Sequence, residues 1–164
     1  MSVREAARRA RVSHNAPYRH FRGREALLAA LAAEGFAMLG EAQRKAGEAG
    51  GLRAMGEAYV RFALHHRQRF RLMFGGQVSI ERNPGLRDAA TAAFTGLSGA
   101  LAARVPSAEG VKDASIAAWA LVHGLAQLLL DDRIGAEHVG GDTDHFVHEV
   151  LGAVRFAIGK PQPA

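Results

Sequence analysis

The stretch RVSHNAPYRHF, residues 11–21, decides how this chain is read. It has the polar start and apolar spacing of a short helix, yet it holds Pro17, two histidines, and Tyr18, Arg19 and His20 side by side near its end. Ser13 can cap a helix over 14–20 by accepting from a first-turn amide. Pro17 then falls at the fourth helical position. Its ring crowds the carbonyl of residue 13, which lies at the cap, so the helix loses one hydrogen bond instead of breaking. The N-terminus of a helix already favours anions, and Tyr18, Arg19 and His20 can donate to phosphate oxygens.

Upstream, Ser2 and Glu5 have the spacing of a capping box and open a helix over 3–10. Arg11-Val12-Ser13 joins the two. A pair of short helices across a turn of three or four residues makes a helix-turn-helix, with Ala6, Ala7, Ala10, Val12, Ala16 and Phe21 available to pack it. In that motif the second helix enters the major groove and its first residues reach base edges. Asn15 is suited to such an edge, because an amide pairs with adenine.

The charge distribution points the same way. The chain carries a net charge of +5, and residues 1–25, with seven arginines (Arg4, Arg8, Arg9, Arg11, Arg19, Arg22, Arg24) against Glu5 and Glu25, account for all of it. A basic segment on a neutral body is the footprint of a nucleic-acid surface. A solvated basic helix or a membrane-surface segment has the same charge pattern.

Downstream the pattern is helical throughout, over about 24–47, 52–65, a short piece after His65, 84–103, 108–131 and 143–158. Gly47, Gly50 and Gly51 mark a boundary, Gly75 and Gly76 a stop, and Asn83-Pro84 a cap followed by a first-turn proline. GAEHVGGDTD, residues 135–144, reads as a loop. The expected fold class is all-α: a helix-turn-helix DNA-binding segment over 1–46, then a helical ligand-binding and dimerisation bundle over 47–164. With 164 residues, 48 % hydrophobic, the chain can bury a sizeable core. It has no cysteine, which suits a reducing compartment such as the cytoplasm. Its opening residues lack the apolar stretch of a signal peptide. The longest apolar run, 116–130, falls short of the roughly 20 residues a bilayer needs, so it reads as a buried helix and no membrane partner is expected.

The segment SVREAARRARVSHNAPYRHFRGREALLAAL resembles the DNA-binding half of tetracycline-repressor (TetR) family transcriptional regulators. Val3, Arg4, Glu5, Ala7, Ala10, Val12, Ser13, Tyr18, His20, Phe21, Glu25, Leu27 and Leu28 match the family pattern. Trp119, His123 and Gly124 fit the W-x-x-x-H-G signature of one C-terminal domain type in that family. The resemblance implies that Ser13, His14, Asn15 and Ala16 face bases, while Tyr18, His20 and Arg24 hold the phosphate backbone. Arg4 and Arg19 join that DNA-binding set. The resemblance also implies a homodimer built from the last two helices, and a small-molecule effector that binds among the C-terminal helices and releases operator DNA.

The chain departs from the family in two places. Arg11 stands where glycine is usual, so an arginine must tolerate a left-handed turn. The family also sets a further helix before the one that opens at Val3. Without that helix 1–46 has a thin core and leaves Leu27, Leu28 and Leu31 partly uncovered. Two readings follow: a start placed too late, or a truncated helical ligand-binding or interaction module that no longer binds DNA.

Other residues carry weaker signals. Trp119, His123 and Gln127 share one helical face and are candidate pocket groups, or satisfied core residues. Phe62, His66, Phe70, Met73 and Phe74 are candidate pocket lining, or plain core and capping. Gly124 is expected to allow close helix approach. His145, His148 and Glu149 have metal-compatible spacing but are expected on an exposed face, so no metal or other cofactor is expected. There is no phosphate loop, nucleophile elbow or H-E-x-x-H, and the expectation is a protein that is not an enzyme.

Overall fold

The structure, a computed structural model, describes Arg8, Arg11, Ser13 and residues 21–154. Among these residues every regular element is a helix, in agreement with the all-α expectation. In order they are α1 (Arg24–His65), α2 (Arg67–Phe74), α3 (Pro84–Ala102), α4 (Ala108–Leu130), α5 (Ala136–Val139) and α6 (Thr143–Ala153). The helices expected over 3–10 and 14–20 lie outside the described residues. The turn between them is visible at Arg11, whose φ is +54° and whose N–H donates to the Arg8 carbonyl at 3.1 Å. An L-residue in that region carries a local cost of about 1–2 kcal/mol, as the glycine-to-arginine departure implies.

α1 organises the bundle. The glycine boundary near residue 47 resolves into one sharp kink: the helix continues through Gly47 and Gly50, and only Gly51 leaves helical geometry, with φ 70° and ψ −157°. That backbone region is open to glycine and almost nothing else. The two arms then approach closely. A Cβ on Gly47 would stand 2.9 Å from Met55 Cγ, and one on Gly50 would stand 2.8 Å from Ala54 Cβ. Phe36 and Leu39 from the first arm meet Tyr59, Val60 and Ala63 from the second in one core, completed by Phe70 and Met73 of α2, Leu86 of α3, Val122, Ala126 and Leu130 of α4, and Val147 and Leu151 of α6. α2, α3, α4 and α6 all pack on α1. α4 is long and apolar enough for a membrane span, but one side of it builds this core.

Local chemistry sets the ends of the elements. Gly75 closes α2 by donating to the Arg71 carbonyl. Ser107 caps α4 by accepting from the Gly110 N–H at 3.1 Å, and Asp142 caps α6 by accepting from the His145 N–H at 3.0 Å. Pro84 opens α3 as expected, but Asn83 does not cap it with its side chain. Its amide instead donates to the Ser79 carbonyl at 2.8 Å, which ties the helix start to the preceding turn.

Four expectations need correction. The loop over 135–144 contains a single helical turn, α5, closed by left-handed Gly140 (φ 68°) donating to the Ala136 carbonyl. The last helix stops at Ala153, because Val154 is extended, with φ −80° and ψ 124°. His148 is not on a free face: it reaches α1, its Nδ1 2.9 Å from Glu57 Oε1. The close helix approach expected at Gly124 is not made within the protomer, since nothing among the described residues lies within 4 Å of where its Cβ would be.

Candidate ligand cavity

The centre of the bundle is an aromatic cluster that three helices build with helical spacing. Phe70 and Phe74 lie one turn apart on α2, Trp119 and His123 one turn apart on α4, and Tyr59 comes from the second arm of α1. His123 stacks on Phe70 with centroids 5.4 Å apart, and meets Phe74 edge-on at 4.8 Å. A hydrogen-bond chain threads the cluster. Trp119 Nε1, a donor only, donates to Tyr59 Oη at 3.3 Å, and Tyr59 Oη lies 2.8 Å from His123 Nδ1. The arrangement that satisfies all three groups has the tyrosine hydroxyl donating to Nδ1, which puts the imidazole proton on Nε2. Burial supports this neutral chain, since it lowers the His123 pKa below its ordinary 6.5 and raises that of Tyr59.

That depression has a stability consequence. Unfolded His123 takes up a proton more readily than folded His123, so its contribution is present above pH 6.5 and is lost as pH falls from there through the folded pKa. Urea titrations between pH 8 and 5 are expected to show a fall in stability on acidification that is shallower in His123→Gln, which keeps a hydrogen-bonding side chain but does not titrate. Equal pH profiles would mean that His123 is as solvated folded as unfolded.

Beside the cluster lies a cavity of about 530 Å³. Both arms of α1 line it, through Phe36, Leu39 and Gln43 before the kink and Leu52, Arg53, Met55 and Tyr59 after it. Phe74, Phe94, Leu97, Trp119, Val122 and Leu151 complete most of the wall. A mostly apolar hollow of this size with a few polar groups is the usual form of a small-molecule site. The unusual member is Gln43. It is only 8 % exposed, and its amide makes no hydrogen bond among the described residues.

The candidate pocket residues divide into three groups. Phe74 and Trp119 line the cavity directly. Phe70 and Met73 are buried in the core, and His123 stands behind the wall, tied to the cavity through Tyr59. Phe62, His66 and Gln127 point elsewhere: His66 packs on Phe62 at 4.8 Å between centroids, and Gln127 donates to Asp131 at 2.9 Å. Sequence reasoning missed Tyr59 as a polar link, and it missed Gln43 and Arg53 altogether. The signal for Gln43 is present in the sequence, because Phe36, Leu39 and Gln43 follow one helical stripe, but the charges of Glu41, Arg44, Lys45 and Glu48 around it hide the stripe. Of the DNA-facing set, Ser13 and Arg24 are exposed, while Arg4, His14, Asn15, Ala16, Tyr18, Arg19 and His20 lie outside the described residues. Among the described residues no three His, Asp or Glu side chains gather as a metal site.

Residues 52–154, which hold the second arm of α1 and α2 to α6, match the tetracyclin repressor-like C-terminal domain family. The chain belongs to the tetracycline-repressor family. A protein of unknown function from Rhodococcus sp. RHA1 is 31 % identical, with a TM-score of 0.75 over 93 % of this chain and 81 % of the other. SCO4313, provisionally described as a regulatory protein, shares the fold at a TM-score of 0.71 and 21 % identity, over 92 % of this chain and 82 % of its own. No curated protein matches the chain. In this TetR-family chain the cavity therefore sits inside the matched C-terminal region, and it borrows one wall from the first arm of α1.

Proposed function

We propose that the chain is a ligand-responsive repressor that binds operator DNA as a homodimer and has no enzymatic activity. One observation carries the reading: the cavity is built from both sides of the Gly51 kink, and the first arm of α1 begins at Arg24, directly after the basic segment. A ligand that fits one angle of the kink better than another shifts the population of that angle, and only such differential affinity can move a DNA-binding segment. On this reading 1–46 forms the DNA-binding unit and 47–164 the effector and dimerisation unit.

Two copies of 14–20 would then lie in successive major grooves, about 34–36 Å apart. Tyr18→Phe and Arg24→Ala are expected to weaken binding to all duplexes alike, with Arg24→Ala lowering the salt slope by about one. Asn15→Ala is expected to cost about 1–3 kcal/mol of discrimination at one base pair. Gel shifts on a palindromic site selected from random duplexes, run against salt and single-base variants, test these roles. Equal loss across sequences for Asn15→Ala would remove its base-reading role.

A specific observation favours the rival reading, a helical module without DNA binding. Leu27 and Leu28 are only half-buried and Leu31 is 37 % exposed, so the first turns of α1 present apolar surface beside the basic segment. That reading predicts no salt-dependent retention of duplex DNA by the wild-type chain in filter binding.

A further inference from the structure

The geometry points to an amphiphilic carboxylic acid as the occupant of the cavity: an apolar body held between α1, α3 and α4, with a carboxylate met by Gln43 and Arg53. The inference rests on the reading of the cavity as an effector site and names the chemistry of that effector. Three features of the wall carry it. The body of the site is apolar, so most of the ligand must be too. Gln43 is more than nine-tenths buried, lines the hollow and makes no hydrogen bond among the described residues. Among the described residues no fully enclosed side-chain polar atom lacks a partner, so the Gln43 amide stays open to the hollow, where a ligand oxygen can accept from its NH2 group.

Charge then selects among oxygen-bearing heads. Arg53 is the one charged side chain among the described lining residues, and no carboxylate stands in that set to receive a cation. The nearest acid, Glu57, is held by His148 at 2.9 Å and lies 3.6 Å from Arg53 Nε, which leaves the guanidinium with donors to spare. A carboxylate accepts from Gln43 and pairs with the Arg53 charge, an alcohol accepts without a charge to pair, and an ammonium can only donate to Gln43 Oε1 and is repelled by Arg53.

Three probes with one body and different heads test this: decanoate, 1-decanol and decylammonium. Trp119 is the single tryptophan and lines the cavity, so its fluorescence reports occupancy, and displacement of the neutral dye Nile red gives a second readout. Decanoate is expected to bind about tenfold tighter than decanol, with decylammonium weakest. Arg53→Gln should erase the advantage of decanoate and leave decanol unchanged. Gln43→Leu should weaken decanoate and decanol alike by about tenfold. Dye binding with a flat ranking, with the ammonium ahead, with no displacement, or with both variants silent overturns the carboxylate assignment and leaves the effector site standing. Failure of the dye and of every probe to bind overturns the effector site itself.

Discussion

Phe70→Ala is expected to cost about 3–5 kcal/mol of folding stability, a large fraction of the about 5–15 kcal/mol that keeps a domain folded. Phe70 is 0 % exposed and meets three of the other four rings at the centre of the bundle. Its ring meets Tyr59 edge-on at 5.8 Å, Phe74 at 4.8 Å and His123 in a stack at 5.4 Å. Removing it forfeits the transfer energy of a phenyl ring and opens a void that α2 is too short to close, because eight residues anchored at both ends by tight turns cannot slide far. It also loosens the imidazole that accepts from Tyr59, so the hydrogen-bond chain behind the cavity should fail before global unfolding. Urea denaturation measures the first effect, and an altered emission of Trp119 at low urea measures the second. A loss below about 1 kcal/mol would mean that the ring is not enclosed as described.

The contrast between Phe70 and Gln43 shows what the sequence could reveal. Phe70 stands among aromatic residues at helical spacing, and burial is the ordinary fate of such a pattern. The ends of the helices were legible for a similar reason: Gly75, Pro84 and Ser107 act through their own backbone or side-chain chemistry, within a few residues. Gln43 and the Tyr59–His123 contact depend on tertiary placement. Tyr59 and His123 are 64 residues apart, and nothing local to either says that they meet. Gln43 sits between charged neighbours, of which Glu41, Arg44 and Glu48 pair with one another on the outer face, while the glutamine turns inward. The kink was legible only as a cluster of three glycines. Gly51 alone takes the non-helical backbone, while Met55 and Ala54 pack closely over Gly47 and Gly50.

These long-range features join the cavity to the rest of the proposed switch. Gln43 and Arg53 flank Gly51, so a ligand held by both spans the kink. Its binding energy is then available to fix the angle between the arms, which a ligand confined to one arm could not do. The same geometry explains why the matched C-terminal region alone, 52–154, does not contain the whole cavity.

The proposed repressor acts as a homodimer, and Leu128→Glu is expected to break the pair. The outward side of α4 carries Ile116, 45 % exposed, Ala117, Ala120, Gly124 and Leu128, 47 % exposed, with no charged residue between Asp113 and Asp131. This stripe runs about 18 Å at the helical rise. Gly124, open within the chain, leaves the middle of the stripe flat enough for a second helix to lie close. In a two-fold interface each residue occurs twice, so Leu128→Glu would desolvate two carboxylates and remove two leucines. The dimer dissociation constant is expected to rise about 10²–10³-fold, while stability of the chain itself changes little because Leu128 is solvated in the monomer. Operator affinity should fall more than either half-site contact explains, by about 10²–10⁴-fold, since the second half-site is no longer reached within one molecule. Sedimentation equilibrium reads the first effect, and parallel titrations of a palindromic site and a single half-site read the second. An unchanged dimer would place the interface elsewhere; a monomer that still prefers the palindrome would separate DNA recognition from dimerisation through α4.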